Sequence, residues 1–131
     1  MSISNPISPY KRVLVPYDGS EVSDRALKHA SYIARMSDAG VVIMHVMETN
    51  TVPPGALLGY ILSGDELIEA KENLRKTFED AATLMLEEKT RELEESGISK
   101  VSYKIKNGKP SDEIVNESEV GLYDLIVMAS S

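Results

Sequence analysis

The sequence predicts an α/β fold in which helices cover both faces of a parallel β-sheet. Two runs, VVIMHVM at 41–47 and LIVM at 125–128, are apolar almost throughout, as in strands that are covered on both faces. Segments with the 3.6-residue periodicity of helices separate the predicted strands. Strands and helices therefore alternate along the chain, and such alternation is typical of parallel sheets with right-handed crossovers.

The first predicted strand and the first predicted helix meet at a short acidic turn. Residues 12–16 form an apolar strand that ends at a proline, which cannot donate a hydrogen bond to a neighbouring strand. The turn contains Asp18 and Gly19, and Ser20 is a good N-cap for the helix that follows. The sequence at 38–40, Asp-Ala-Gly, ends that helix before the second strand.

The second half of the chain supplies two more strands and two more helices. Residues 48–64 are rich in proline and glycine, and they predict either a lid over a ligand or a simple connector. A helix over 65–96 would be about 48 Å long, so we expect it to bend or to be shorter at its N-terminal end. Residues 101–106 alternate between apolar and polar, as in an edge strand. Ser111 is predicted to cap a short helix before the strand at 125–128.

These patterns also predict the order of the strands in the sheet. The half-polar third strand belongs at an edge and the apolar first strand in the middle, so the simplest order is 3-2-1-4. The order reverses between strands 1 and 4, and ligands of open parallel sheets bind beyond the carboxyl ends of the strands at such a reversal. Residues 16–20 and residues 129–131 are therefore predicted to face each other across one crevice.

Length and composition restrict the class of protein. The 131 residues predict one domain over 10–131, preceded by a flexible arm over 1–9. A net charge of -7 weighs against binding to nucleic acid or to anionic membranes. The absence of cysteine excludes disulfides and thiol catalysis. No apolar run approaches the roughly 18 residues of a membrane span, and no signal-peptide core precedes the domain, so we expect a cytoplasmic protein.

Asp18 is the main candidate for binding chemistry, and two interpretations of it stay open. Its carboxylate can accept hydrogen bonds from an amine or hydroxyl of a ligand, or help to hold Mg²⁺. Alternatively, it only satisfies the amides of its own turn. Gly19 permits a close approach of the backbone to a ligand. Residues 108–110 are predicted to form a turn between strand and helix. This turn opens at the same end of the sheet, so Lys109 is an additional candidate for a phosphate contact.

His45 is favoured as a structural histidine over a ligand contact, because it lies in an otherwise apolar strand. A Ser-His-Asp triad can be assembled on paper from Ser20, His45 and Asp18, but nothing in their spacing places a base on a nucleophile. The methionines, Met128 among them, are expected to fill the core rather than to form a binding surface.

Four stretches of the chain resemble the universal stress protein family. They occur in the family's order and spacing, and the resemblance covers nearly all of residues 10–131. They read VLVPYDGSEVSDRALKHA at 13–30, VVIMHVME at 41–48, NGKPSDEIV at 107–115 and DLIVMASS at 124–131.

The resemblance implies a Rossmann-like domain of the adenine-nucleotide-hydrolase type that holds ATP, with or without Mg²⁺, in the same crevice. It implies that the 16–18 turn surrounds the adenine and ribose, that the backbone of Val46 contacts the base, and that residues 128–131 begin the phosphate loop. Together with Gly19 of the turn, the candidate nucleotide-binding residues are Pro16, Tyr17, Asp18, Gly19, Val46, Met128, Ala129, Ser130 and Ser131.

The sequence departs from the family pattern in two ways. Ala129 stands where the family's phosphate loop, of the form G-x-x-G, has its first glycine. The second glycine, the later Gly-Ser or Gly-Thr pair, the last helix and the fifth strand do not follow, so we expect a longer polypeptide. The resemblance also implies a homodimer, although the family's last strand commonly supplies that interface.

Two functions follow from these observations. The first is a cytoplasmic stress-response regulatory domain that binds ATP or another adenine nucleotide. The crevice offers no water-activating base and no arginine finger, so we expect at most a slow ATPase. The alternative is a member of the family's non-nucleotide branch, a dimeric protein-interaction module, and Ala129 favours it.

Overall fold

The computed structural model describes residues 10–48 and 64–128. Strands and helices alternate over this part of the chain, as the sequence predicts. The elements are β1 (Arg12–Pro16), α1 (Glu21–Ser37), β2 (Gly40–Met47), α2 (Asp65–Glu95), β3 (Val101–Asn107), α3 (Pro110–Val120) and β4 (Leu125–Ile126). The predicted arm at 1–9, most of the loop predicted at 48–64, and the end of the chain at 129–131 lie outside the described residues.

The four strands form one parallel sheet in the order β3-β2-β1-β4, which confirms the prediction. In β1, Val13 pairs with Val41 on one side and with Leu125 on the other. The last strand is shorter than predicted, because β4 contains only Leu125–Ile126. The chain still follows β1 for one more residue, since the amide of Val127 donates to the carbonyl of Leu14 at 3.0 Å.

Helices cover both faces of the sheet, so the fold has three layers. On one face, α1 and α2 pack over the alternate strand residues that begin with Val13 and Val41, and Leu27 and Leu86 are buried there. On the other face, Ile114 of α3 packs against the smaller apolar cluster Leu14, Val42 and Met44. The apolar β1 and β2 are buried from both sides, as their sequences predict.

Helix α2 has 31 residues and begins at Asp65, so the alternative of a shorter N-terminal end is wrong. The predicted bend stays a prediction. Its fully buried residues, Ala82, Leu86 and Leu93, all lie in its second half. In its first half, Arg75 bridges Glu72 at 2.5 Å and Glu79 at 2.7 Å. Ion pairs at these spacings, together with good helix formers, support helix where burial is slight.

The start of α3 also differs from the prediction. Pro110 occupies the first helical position and Lys109 the N-cap, whereas Ser111, the predicted cap, lies inside the helix. Proline suits that position because its fixed φ fits a helix and its missing N–H has no partner there in any case. The other N-cap prediction holds, since Ser20 Oγ accepts a hydrogen bond from the amide of Ser23 at 3.1 Å.

A buried carboxylate joins α3 to the sheet. Glu117 is 2% exposed, and its Oε2 accepts hydrogen bonds from Lys104 Nζ at 2.7 Å and from the Tyr123 hydroxyl at 2.6 Å. The guanidinium of Arg12 lies 4.5 Å from the centre of the Tyr123 ring and donates to the carbonyl of Gly121. These contacts link α3, β3, β1 and the segment that leads into β4.

Candidate functional site

A cavity of about 640 Å³ lies at the carboxyl ends of the strands, a size that is typical of small-molecule sites. Its walls come from several elements: the ends of β1 and β2, the residues that follow β1, β2 and β4, and one face each of α2 and α3. The cavity therefore spans the point where the strand order reverses, between β1 and β4.

Several of the sequence-predicted residues meet at this cavity. Pro16, Tyr17, Asp18, Val46 and Met128 all line it. Gly19 is not part of the lining, but it forms the turn behind Asp18. The remaining candidates, Ala129, Ser130 and Ser131, lie outside the described residues. The two sides of the predicted crevice are thus brought together as far as Met128.

Tyr17 connects three elements at the base of the cavity. Its side chain is 4% exposed, and its hydroxyl donates to Asp24 Oδ1 of α1 at 2.5 Å. Its amide donates to the carbonyl of Met44 at 2.8 Å. Burial, with the hydrogen bond to Asp24, raises the pKa of Tyr17 well above its usual range. The ring is therefore a fixed wall, and its hydroxyl is already used within the protein.

Asp18 has a structural role and also faces the cavity. Its Oδ1 accepts a hydrogen bond from the amide of Ser20 at 2.9 Å, as the turn interpretation predicts. Hydrogen bonds from Ser20 lower the pKa of Asp18, so the carboxylate is ionised at neutral pH. Because a carboxylate has about four lone-pair sites, the turn leaves acceptor capacity for a ligand. The two interpretations are therefore compatible.

Gly19 holds the turn in a backbone conformation that other residues rarely adopt. Its φ is 85°, and a Cβ added there would lie 3.1 Å from Met85 Sδ. We expect Gly19→Ala to lower the free energy of unfolding by about 1–2 kcal/mol, because a left-handed conformation is strained for any residue with a Cβ. Urea unfolding followed by circular dichroism measures the change.

Gly64→Ala is a comparison without a side-chain contact, because Gly64 also has a positive φ of 59° but has open space around it. An alanine at position 19 that leaves stability unchanged would contradict the described turn.

His45 is half-buried at the end of β2, and its ring is anchored. Its Nδ1 lies 2.8 Å from the carbonyl oxygen of Tyr17, which can only accept, so the ring hydrogen is on Nδ1. Ser20 Oγ is hydrogen-bonded to Ser23. Among the described contacts, none joins His45 to Ser20, so these residues do not form the Ser-His-Asp triad that was considered from the sequence.

The sequence interpretation missed one wall of the cavity. That wall is a face of α2, formed by Phe78, Ala81, Ala82 and Met85, and α3 adds Pro110 and Ile114. The prediction that the methionines fill the core is confirmed for Met44, which is buried and also lines the cavity. It is wrong for Met36, which is 72% exposed, and for Met128, which is 56% exposed and lines the cavity. Lys109, a candidate for a phosphate contact, is exposed and does not line the cavity. No sequence signal identifies these residues, because helix periodicity does not say which cavity a face borders.

The charged residues of the described lining are all acidic. Asp18 and Glu48 line the cavity, and no lysine or arginine does so. The segments at 49–63 and 129–131 contain no lysine or arginine in their sequence either. Within the described ranges, no three His, Asp or Glu side chains are grouped to hold a metal ion. A phosphate group there would depend on backbone amides or on a metal ion that arrives with it.

Comparison with known proteins identifies relatives over almost the whole chain. The model of the universal stress protein family matches residues 9–131. Universal stress protein MJ0531 of Methanocaldococcus jannaschii is 34% identical over 130 residues, which cover 98% of this chain and 69% of that protein. Universal stress protein MJ0577 of the same organism is 30% identical over 125 residues, which cover 92% and 76%.

Solved structures share the fold. UspA from Lactobacillus plantarum superimposes with a TM-score of 0.73 at 17% identity, over 91% of this chain and 76% of that one. In residues 10–48 and 64–128, no helix has the length and apolar character to cross a membrane. The family model, the relatives and the order of the strands agree: the chain belongs to the universal stress protein family.

Proposed function

We propose that this domain binds an adenine nucleotide, with ATP as the first candidate, in the cavity at the carboxyl ends of β1 and β4. The observation that carries the proposal is that Pro16, Tyr17 and Asp18 line the same cavity as Met128, across the reversal of strand order. Open parallel sheets bind nucleotides at this position. We also propose that the protein is a cytoplasmic regulator and that it forms a homodimer. The bound nucleotide would be held rather than rapidly hydrolysed.

Two proteins of the same fold support the choice of ligand class. One is a universal stress protein in complex with cAMP, with a TM-score of 0.58 to this chain and 24% identity. The other is a family protein from Arabidopsis thaliana with AMP bound, with a TM-score of 0.59 and 22% identity. Both ligands contain adenine, and we extend that class to this chain as part of the proposal.

The lining suits the base and ribose end of a nucleotide. Pro16, Val46 and Phe78 supply apolar surface of the kind that packs against a flat base. Asp18 supplies an ionised acceptor for a hydroxyl or amine of the ligand. In the proposal the backbone of Val46 contacts the base, and Asp18 selects the ribose or base end.

The phosphates need another source of positive charge. The cavity fits Mg²⁺ only in part, because Asp18 can serve as one oxygen ligand and the described residues offer no metal-binding group of three. Mg²⁺ commonly takes one or two carboxylates and completes its shell with phosphate oxygens and water. We therefore propose that Mg²⁺ binds only together with the nucleotide, and that residues 129–131 contribute backbone amides to the phosphates.

Asp18→Ala tests the proposal. We expect it to weaken ATP binding by about tenfold or more, because a hydrogen bond to a charged group contributes about 1.5–3 kcal/mol. Isothermal titration calorimetry of the intact protein with ATP, AMP and cAMP, with and without Mg²⁺, measures the change. Glu119→Ala is the control, since it removes an exposed carboxylate of α3 that is not part of the lining.

Two results would count against this assignment. ATP affinity that is equal in wild type and Asp18→Ala removes Asp18 from the site. Failure of the wild type to bind any of the three nucleotides, with none released on denaturation, rejects nucleotide binding and favours the dimeric interaction module. Ala129, in place of the family's first loop glycine, is the observation that keeps that second candidate.

A further inference from the structure

The anchored ring of His45 has a defined arrangement of donor and acceptor. Its Nδ1 donates to the carbonyl of Tyr17 at 2.8 Å. A neutral imidazole with its hydrogen on Nδ1 has an unprotonated Nε2, which is an acceptor. In the neutral form, the ring therefore has its acceptor on the nitrogen that does not contact Tyr17.

The carbonyl that sets this tautomer is itself held in place. The amide of Tyr17 donates to Met44 of β2, and its hydroxyl donates to Asp24 of α1. The Tyr17 side chain is buried between these elements. Because the backbone at Tyr17 is fixed on both sides, the orientation of the His45 ring is fixed as well.

Among residues 10–48 and 64–128, no hydrogen bond of the second His45 nitrogen, Nε2, is described. Within the described part of the chain, Thr90 Oγ1 is the single fully buried side-chain N or O atom without a hydrogen-bond partner. The described hydrogen bonds of His45 use only Nδ1, so Nε2 is not sealed in the core. His45 is one of the residues that line the cavity.

The other polar side chains of the lining favour the same kind of ligand. Asp18 is an ionised carboxylate, which only accepts hydrogen bonds. The hydroxyl groups of Tyr17 and Ser23 donate within the protein, to Asp24 and to the carbonyl of Ser20. The side chains of the described lining thus present acceptors, and a ligand edge that carries a hydrogen-bond donor is the complementary partner.

We propose that His45 Nε2 accepts a hydrogen bond from the exocyclic amine of the bound base and so selects adenine over hypoxanthine. Adenine carries an amine at position 6, whereas hypoxanthine carries a carbonyl oxygen there. The hypoxanthine oxygen would face His45 Nε2, and neither of these two acceptors would have a hydrogen-bond partner. Unpaired polar groups of this kind discriminate strongly between ligands of nearly the same shape. This inference rests on the proposed function, and it assigns to His45 a ligand contact in addition to its structural hydrogen bond.

His45→Asn tests the inference, because the asparagine amide can still donate to the Tyr17 carbonyl but has no atom at the position of Nε2. Calorimetric titrations compare AMP with IMP and ATP with ITP. We expect the wild type to prefer the adenine nucleotide by about tenfold, and His45→Asn to lose this preference through weaker adenine binding. His45→Gln, whose Oε1 can reach the position of Nε2, should regain part of it. His29→Asn, on the exposed side of α1, is the matched control.

A spectroscopic readout separates ligand contact from structural support. The chain has two histidines, so long-range ¹H–¹⁵N spectra of the rings are simple, and His45→Asn assigns them. The wild type should show the Nδ1–H tautomer for His45, and AMP but not IMP should shift its Nε2 resonance. A folded His45→Asn protein that keeps the full adenine preference overturns the inference, as does a wild type that binds AMP and IMP equally.

Two further outcomes are distinguishable. If 2′-deoxy-AMP and AMP bind His45→Asn equally but differ in the wild type, the acceptor serves the ribose, and the assignment to the amine is wrong. If no adenine nucleotide binds the wild type at all, the proposed function fails first, and the inference fails with it.

Discussion

Replacement of Ile43 by alanine is expected to lower the free energy of unfolding by about 4 kcal/mol. Ile43 is fully buried (0% exposed) in β2, an interior strand that pairs with β1 on one side and β3 on the other. Loss of its side chain removes apolar burial and leaves a cavity that neighbours on two strands and two helices cannot easily fill. A domain of this size has a total stability of about 5–15 kcal/mol, so the loss is a large fraction of it. Equilibrium unfolding in urea measures it.

Ile68→Ala is a matched control for this substitution. Ile68 is 68% exposed in the first half of α2, and alanine is a better helix former than isoleucine, so we expect no loss of stability. Equal effects at the two positions would contradict the assignment of Ile43 to the core.

Replacement of Glu117 by glutamine is expected to lower stability at neutral pH by about 2–3 kcal/mol. Removal of one partner from a buried ion pair is costly, but Lys104 is 39% exposed and can turn toward water, which reduces the loss. Burial alone would raise the pKa of Glu117, yet the hydrogen bonds from Lys104 and Tyr123 outweigh it and hold the pKa below the ordinary value of 4.5. The ionised form is therefore the one that the folded protein stabilises.

The sign of the pH dependence follows from that lowered pKa. A carboxyl group whose pKa is lower in the folded state contributes stability above its ordinary pKa, and this contribution is lost as the pH falls through the folded value. The difference between wild type and Glu117→Gln should thus be complete above about pH 4.5 and shrink on acidification below it. Glu119→Gln, its exposed neighbour in α3, should show neither effect. A constant difference across this pH range would contradict the assigned pairing.

The sheet was predictable because the character of each strand reveals its place. Continuous apolar runs such as 41–47 must be covered on both faces, and the alternation at 101–106 is only suited to an edge. With the first strand in the middle, these patterns favour β3-β2-β1-β4 as the simplest order, which the structure confirms. The position of the crevice and the residues at the end of β1 follow from that order.

The rest depends on packing between distant parts of the chain, which local patterns do not specify. Phe78 and Met85 border the cavity only because of how α2 lies across the sheet. The Tyr17 hydroxyl donates to the side chain of Asp24, and His45 donates to the backbone carbonyl of Tyr17. The sequence around these residues gives no sign of either contact. The cap of α3 differs from the prediction because the fixed φ of Pro110 suits the first helical position, so the helix begins before Ser111.

The acidic lining of the cavity has a consequence for the kinetics of nucleotide binding. A polyphosphate that diffuses toward Asp18 and Glu48, on a protein of net charge -7, moves against the electrostatic potential instead of being steered by it. Dissolved ions screen such repulsion over about 10 Å at 0.1 M salt. The association rate constant of the nucleotide should therefore increase with ionic strength, which is the reverse of the trend for a basic phosphate site. This increase should be steeper for each further phosphate on the ligand.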